Sequence, residues 1–222
     1  MHQASPEKHR KLVAAAAAAA SKLPKSLRAA PRGTKLETYL RGYYANVDVE
    51  DLVGRAPAEL ATIALSHLSL AQRRRGRALV RVFNPTLRTD GYTSAHTVIE
   101  MVNDDMPFLV DSIGLALTQR SLTLHFLAHP VFGVIRDGAG RLQSLQERGQ
   151  SVDGKRQRLE SFQHIEVDRI VDPDVLRALQ AQIERSMRDV SFACADWAKM
   201  RNAARQAADD LNSLNSRLTF SS

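Results

Sequence analysis

A single cysteine, Cys194, rules out an internal disulfide and fits a reducing, cytoplasmic compartment. Long apolar runs are missing too. The longest stretch free of both charged residues and histidine lies between Lys11 and Lys22, and it is almost all alanine, which favours a helix but inserts poorly into lipid. Lys8, Arg10 and Lys11 precede that stretch like the charged start of a secretory leader. Lys22, Lys25 and Arg28 follow too closely, and no cleavage context stands out, so no leader is expected. Aromatic residues are scarce, and none occurs in the first 38 positions, so the basic start has no stacking platform for bases. Nor is there a GxxxxGK[ST] phosphate loop, a GxSxG elbow or an HExxH helix. Gly138-Ala-Gly140 lacks the third glycine of a dinucleotide fingerprint and reads as a hairpin turn.

The excess of positive charge is not spread along the chain. The net charge is +7, and residues 1–41 hold nine Lys/Arg against two acidic residues, so the remainder balances to zero. A basic arm of this kind could meet nucleic acid through residues 8–41, but a solvated helix explains it more simply.

What is present is organised. Ser5-Pro6-Glu7 reads as a helix start, carried on by Ala14–Ala20 and broken by Pro24 and Pro31-Arg32-Gly33. Residues 35–75 read as helical. Leu36, Tyr39, Leu40 and Tyr43 make one stripe, and Leu60, Ile63, Ala64, His67, Leu68 and Ala71 another. His67 is expected to be buried and hydrogen-bonded, and Arg73-Arg74-Arg75 to close the helix. Strands are expected at 79–83, 97–102, 122–126, 131–135, 141–145 and 162–170. Asn103, Asp104 and Asp105 read as cap residues, and Met106-Pro107 as the start of a helix facing inward with Leu109, Val110, Ile113, Ala116 and Leu117. Residues 146–159 read as a loop. Asp172-Pro173-Asp174 opens a helix with the stripe Leu176, Leu179, Ile183, Met187 and Val190. A separate helix is expected over 196–211, with fraying from Asn212 to Ser222.

The order strand, helix, strand, strand, helix is most of a split βαβ, ferredoxin-like unit. The strand at 79–83 can fill the edge left without a final strand. The fold class is therefore α+β, a βαββα core flanked by N- and C-terminal helices. The expected divisions are a basic Ala-rich extension over 1–34, a helical lead-in over 35–76, the α+β domain over 77–190, and a C-terminal helix and tail over 191–222.

Candidate sites are few. Asn103, Asp104, Asp105, Met106, Pro107 and Phe108 lie between a strand end and a helix start, where backbone N–H groups and the helix dipole suit a small carboxylate ligand. Capping by Asp104 or Asp105 would occupy the same donors. His164, Glu166 and Asp168 alternate on one strand. His164 and Glu166 are weak metal candidates, and an exposed polar sheet face explains the pattern equally. His125 and His129 sit four apart on a strand, and Cys194 beside Trp197 suggests packing.

Three phrases carry a family resemblance: Val102–Ser112 (VNDDMPFLVDS), Leu124–Val131 (LHFLAHPV) and Glu160–Arg169 (ESFQHIEVDR). Tyr39–Tyr44 (YLRGYY) and Glu50-Asp51-Leu52 add to them. Across about residues 36–190 the chain resembles the N-terminal ACT-like region of bacterial large-type NAD-specific glutamate dehydrogenases. The resemblance implies an ACT-like fold and a parent enzyme that deaminates L-glutamate to 2-oxoglutarate with NAD, its catalytic domain lying downstream. It implies no catalytic residue and no bound cofactor here. It implies partners in an amino-acid effector, the rest of the dehydrogenase and further copies of the chain; no membrane partner is expected, since no apolar stretch is long enough to span one. A free-standing amino-acid sensor is the alternative. The ACT signature resembles DRPGLL, where this chain reads Asp105 to Val110 (DMPFLV). Phe108 replaces the glycine that lets a ligand approach the backbone, and so stands as a plug, an interface residue or a core anchor.

Overall fold

The computed structural model describes residues 6–24, 30, 31, 34–147 and 157–218. Within the last helix, residues 197–199, 202–204 and 207–218 are described by backbone alone. The expected contact of Cys194 with Trp197, the Arg32-Gly33 break and most of the expected 146–159 loop lie outside the described residues.

Helix α1 (Pro6–Ala20) starts where Pro6 pre-sets the helical φ. The segment read as helical over 35–75 holds three helices: α2 (Leu36–Tyr44), α3 (Val49–Leu52) and α4 (Pro57–Leu70). Gly54, at φ +96°, and Pro57 separate α3 from α4. The strands are β1 (Leu79–Phe83), β2 (Thr97–Asp104), β3 (Leu124–Ala128), β4 (Val131–Arg136), β5 (Leu142–Glu147) and β6 (Arg158–Val167). Helix α5 (Leu109–Thr118) follows β2, and α6 (Pro173–Leu218) follows β6. The break expected within α6, and the fraying expected from Asn212, do not occur as far as Leu218. At 1.5 Å per residue its 46 residues extend about 69 Å.

The sheet runs β1-β2-β6-β4-β5, with β3 on the same side of β6 as β4, and every pairing is antiparallel. Strand β1 fills the edge beside β2, as the missing final strand required. The core is ferredoxin-like and ACT-like, widened by β5. Antiparallel sheets often leave one face to water. Here both are covered. Val102, Phe126, Phe132, Val134 and Phe162 meet α1, α2 and α4. Ile99, Met101, Ile165 and Val167 meet α5 and α6 through Leu109, Ile113, Leu117, Leu179, Ile183 and Met187.

The lead-in helices are bound by tyrosine anchors. The Tyr39 hydroxyl donates to Ala64 O at 2.7 Å and the Tyr44 hydroxyl to Leu60 O at 2.7 Å, so each buried ring satisfies its polar tip. Ala16 and Ala20 of α1 are fully buried, their small side chains allowing close packing against α4. No described helix is long and apolar enough to cross a membrane.

Candidate functional site

The strand-to-helix segment is not built as its composition suggests. Asn103 and Asp104 belong to β2, and Met106-Pro107 precede the helix rather than begin it. The N-cap is Phe108, not an aspartate. Asp104 accepts a bond from Arg74 Nη1 at 2.8 Å, and the Asp105 N–H donates to Leu159 O at 2.9 Å. Neither aspartate caps α5. Phe108 has no capping side chain, so the N–H groups of the first turn are left to solvent or a ligand.

Phe108 has φ +66°, in the left-handed region that glycine enters freely. The glycine of the related signature thus has a backbone reason at this position. The ring is 67% exposed, so Phe108 is not a core anchor. Exchanging Phe108 for glycine relieves left-handed strain and removes little burial. Stability in urea denaturation should stay level or rise by up to about 1 kcal/mol. A clear loss would mean that the ring is covered in solution.

The metal-type side chains are dispersed among other partners. His164 and Glu166 are buried, not on an exposed polar face, because α4 and the loops beside it cover this side of the sheet. Arg55 holds both Glu166 oxygens, at 2.8 and 2.9 Å, so the carboxylate is committed to a guanidinium. Asp168 lies past the end of β6, bonded to His125 Nε2 at 2.7 Å and to the Thr123 N–H at 2.8 Å. His129 bonds instead to the Ser161 hydroxyl, so the two histidines do not converge. Cys194 lies near Pro107 O, at 3.8 Å.

Two buried ionic groups occupy the sheet face under the lead-in helices. In the first, the register places Glu100 opposite His164. His164 Nδ1 is 3.7 Å from Glu100 and its Nε2 is 3.5 Å from Glu166. These are ion-pair distances and too long for hydrogen bonds. Burial opposes a charge on His164, but the two carboxylates outweigh it and raise its pKa above the usual imidazole value. Burial likewise opposes ionisation of Glu166, yet His164 and Arg55 hold its pKa well below the ordinary carboxylate range. His67 is buried as expected, between the Tyr43 hydroxyl (2.8 Å) and Met101 O (2.9 Å). A carbonyl only accepts, so Nε2 carries the proton and Tyr43 donates to Nδ1. Burial pushes the His67 pKa down to about 4.

The second group lies at the other end of β6. Glu160 accepts from Arg74 Nη1 at 2.9 Å and from Arg136 at 2.8 and 2.7 Å, while Arg74 also reaches Asp104. Arg74 does not close a helix, since α4 ends at Leu70 and the chain turns inward after it. Sequence reading missed Arg74, Glu160, Arg136, Glu100 and Arg55. The available signal was Glu100, a lone charge inside an apolar strand, which needs a buried partner.

Residues 39–183 match the family described as glutamate dehydrogenase, ACT1 domain. The chain is 35% identical over 182 residues to the NAD-specific glutamate dehydrogenase of Halomonas elongata, covering 81% of this chain and 11% of that protein. It is 32% identical over 165 residues to the NAD-specific glutamate dehydrogenase of Pseudomonas aeruginosa, covering 74% of this chain and 10% of that protein. It thus spans about a tenth of the length of these relatives. No solved structure matches.

Proposed function

The chain belongs to the glutamate dehydrogenase ACT1-domain family, and on that premise we propose that it is a non-catalytic regulatory and assembly region of an NAD-specific glutamate dehydrogenase. The observation that carries this reading is the proportion of the match: most of this chain corresponds to about a tenth of each relative. It therefore corresponds to one module of a long polypeptide. The parent reaction is oxidative deamination of L-glutamate to 2-oxoglutarate, with NAD held elsewhere in the polypeptide. The effector is an amino acid or oxoacid. Its carboxylate would take the uncapped first turn of α5, beside Asp105 and the exposed ring of Phe108. Assembly would use α6, which runs on past the sheet and exposes Phe192 and Met200.

The test is thermal unfolding of the chain with each common amino acid and with 2-oxoglutarate at millimolar concentration. A ligand at a hundred times its dissociation constant adds about 2.7 kcal/mol. The expected result is a rise with one compound that Asp105→Ala removes. No rise with any compound removes the effector part of the reading. A sedimentation profile of a monomer at high concentration removes the homo-oligomer part.

A further inference from the structure

A cavity of about 600 Å³ opens between the turn after α4, the β4–β5 hairpin and the start of β6. Four guanidinium groups line it, Arg74, Arg75, Arg136 and Arg158, against two carboxylates, Asp137 and Glu160. We propose that this cavity is a binding site for a small doubly charged anion, a phosphate or a dicarboxylate. It is separate from the effector turn, which it adjoins through Asp104.

The floor is hydrogen-bonded and electrostatically satisfied. Arg74 and Arg136 are held by the buried Glu160, and Asp104 supplies the second negative charge, so these four residues are neutral together. Asp137 is paired with Arg141 at 2.7 Å. The two charges left over belong to Arg75 and Arg158. Both are exposed at the rim, and neither has a carboxylate partner among the described residues. Among the described residues that line the cavity the excess is therefore +2, matching a dianion.

The floor also retains donors. A guanidinium has five N–H groups. Arg74 directs four to Arg77 O, Asp104, Glu160 and Gly76 O. Arg136 directs four to Glu160 (two bonds), Ala71 O and Gly140 O. Each keeps one N–H. Charged bonds from fixed guanidiniums are the strong kind, and a planar fork suits carboxylate or phosphate oxygens.

The wall is built for close approach. Gly140 has φ +77°, and a Cβ there would fall 2.2 Å from Arg74 O. The Arg74 N–H donates to Gly140 O at 2.9 Å, and the Leu142 N–H to Gln72 O at 2.9 Å, seating the hairpin against the arginine-bearing turn.

The experiment is thermal unfolding of the full chain in sodium phosphate, sodium succinate or sodium acetate, with ionic strength held constant by sodium chloride. Phosphate or succinate should raise the midpoint, by roughly 3–6 °C at ten times its dissociation constant. Acetate should not. A response to phosphate alone assigns a phosphate-bearing ligand, and one to succinate alone assigns a dicarboxylate. Arg75→Ser with Arg158→Ser, both exposed and outside the floor, should abolish the rise, whereas Asp105→Ala should leave it. A rise that persists in the double variant, or no rise with either dianion, overturns the proposal. Loss on Asp105→Ala but not in the double variant assigns the anion to the effector turn instead.

Discussion

Glu160→Gln lowers the unfolding free energy by about 3–5 kcal/mol, the cost of removing one partner from a buried ionic group. Glutamine keeps the shape of the side chain but removes its charge. Arg74 and Arg136, both buried or nearly so, then face each other without the carboxylate between them. The amide also turns one acceptor into a donor against a guanidinium that has only donors. The effect spreads, because Arg136 also bonds Ala71 O and Gly140 O, and so holds the end of the α4 segment against the hairpin. Urea denaturation measures the loss. Arg41→Ala is the control, since the Arg41–Glu147 pair is more exposed and should change stability by less than about 1 kcal/mol. Equal small losses in the two variants would show that water reaches Glu160 and screens it.

Acid weakens the fold through His67 before the carboxylates titrate. The folded pKa of about 4 lies below the ordinary 6.5, so the unfolded chain takes up the proton first. The stability associated with neutral His67 is present above pH 6.5 and is lost as pH falls from 6.5 towards 4. The whole effect is about 3 kcal/mol, of which about 2 kcal/mol falls between pH 6.5 and 4.5. His129, whose pKa burial also lowers, adds in the same direction. His164 has the opposite sign. Its raised pKa contributes stability that is complete below 6.5 and is lost as pH rises through the folded value. Glu166 contributes above its ordinary value near 4.5 and loses that contribution only as pH falls through its depressed folded value. The window from 6.5 to 4.5 therefore isolates the buried neutral histidines. Urea midpoints across it should fall steeply in the natural chain and markedly less in His67→Gln, whatever the absolute stability of the variant. An unchanged slope in the variant would assign the acid sensitivity to other groups.

Much of the architecture was legible in the residue pattern, because the signals are local. Period-two alternation marked β3, short apolar runs marked β1 and β4, and three- to four-residue spacing marked the inner faces of α5 and α6. The stripes Leu109, Ile113, Leu117 and Leu179, Ile183, Met187 are buried as expected. His67 could be read as a bonded core residue because it sits on an apolar stripe. The β2–α5 turn was found but built differently. Aspartates beside a helix start suggest caps, yet Asp104 is drawn back by Arg74, thirty positions earlier, and Phe108 takes the cap position in a glycine-like conformation.

The sequence by itself determined the order of the six strands, the helix between β2 and β3, the edge position of β1, and the family through three short phrases. Only the tertiary structure decided which charges are buried and with whom. Glu160 meets Arg74 across 86 positions, and Arg55 meets Glu166 across 111. Such pairings depend on the register of β6 against β2 and on where α4 ends, and neither is encoded in a window of a few residues. A charge in a strand reads as solvated until a second layer covers it. Here the lead-in helices form that layer, and their burial of the sheet face turned a polar alternation into ion pairs.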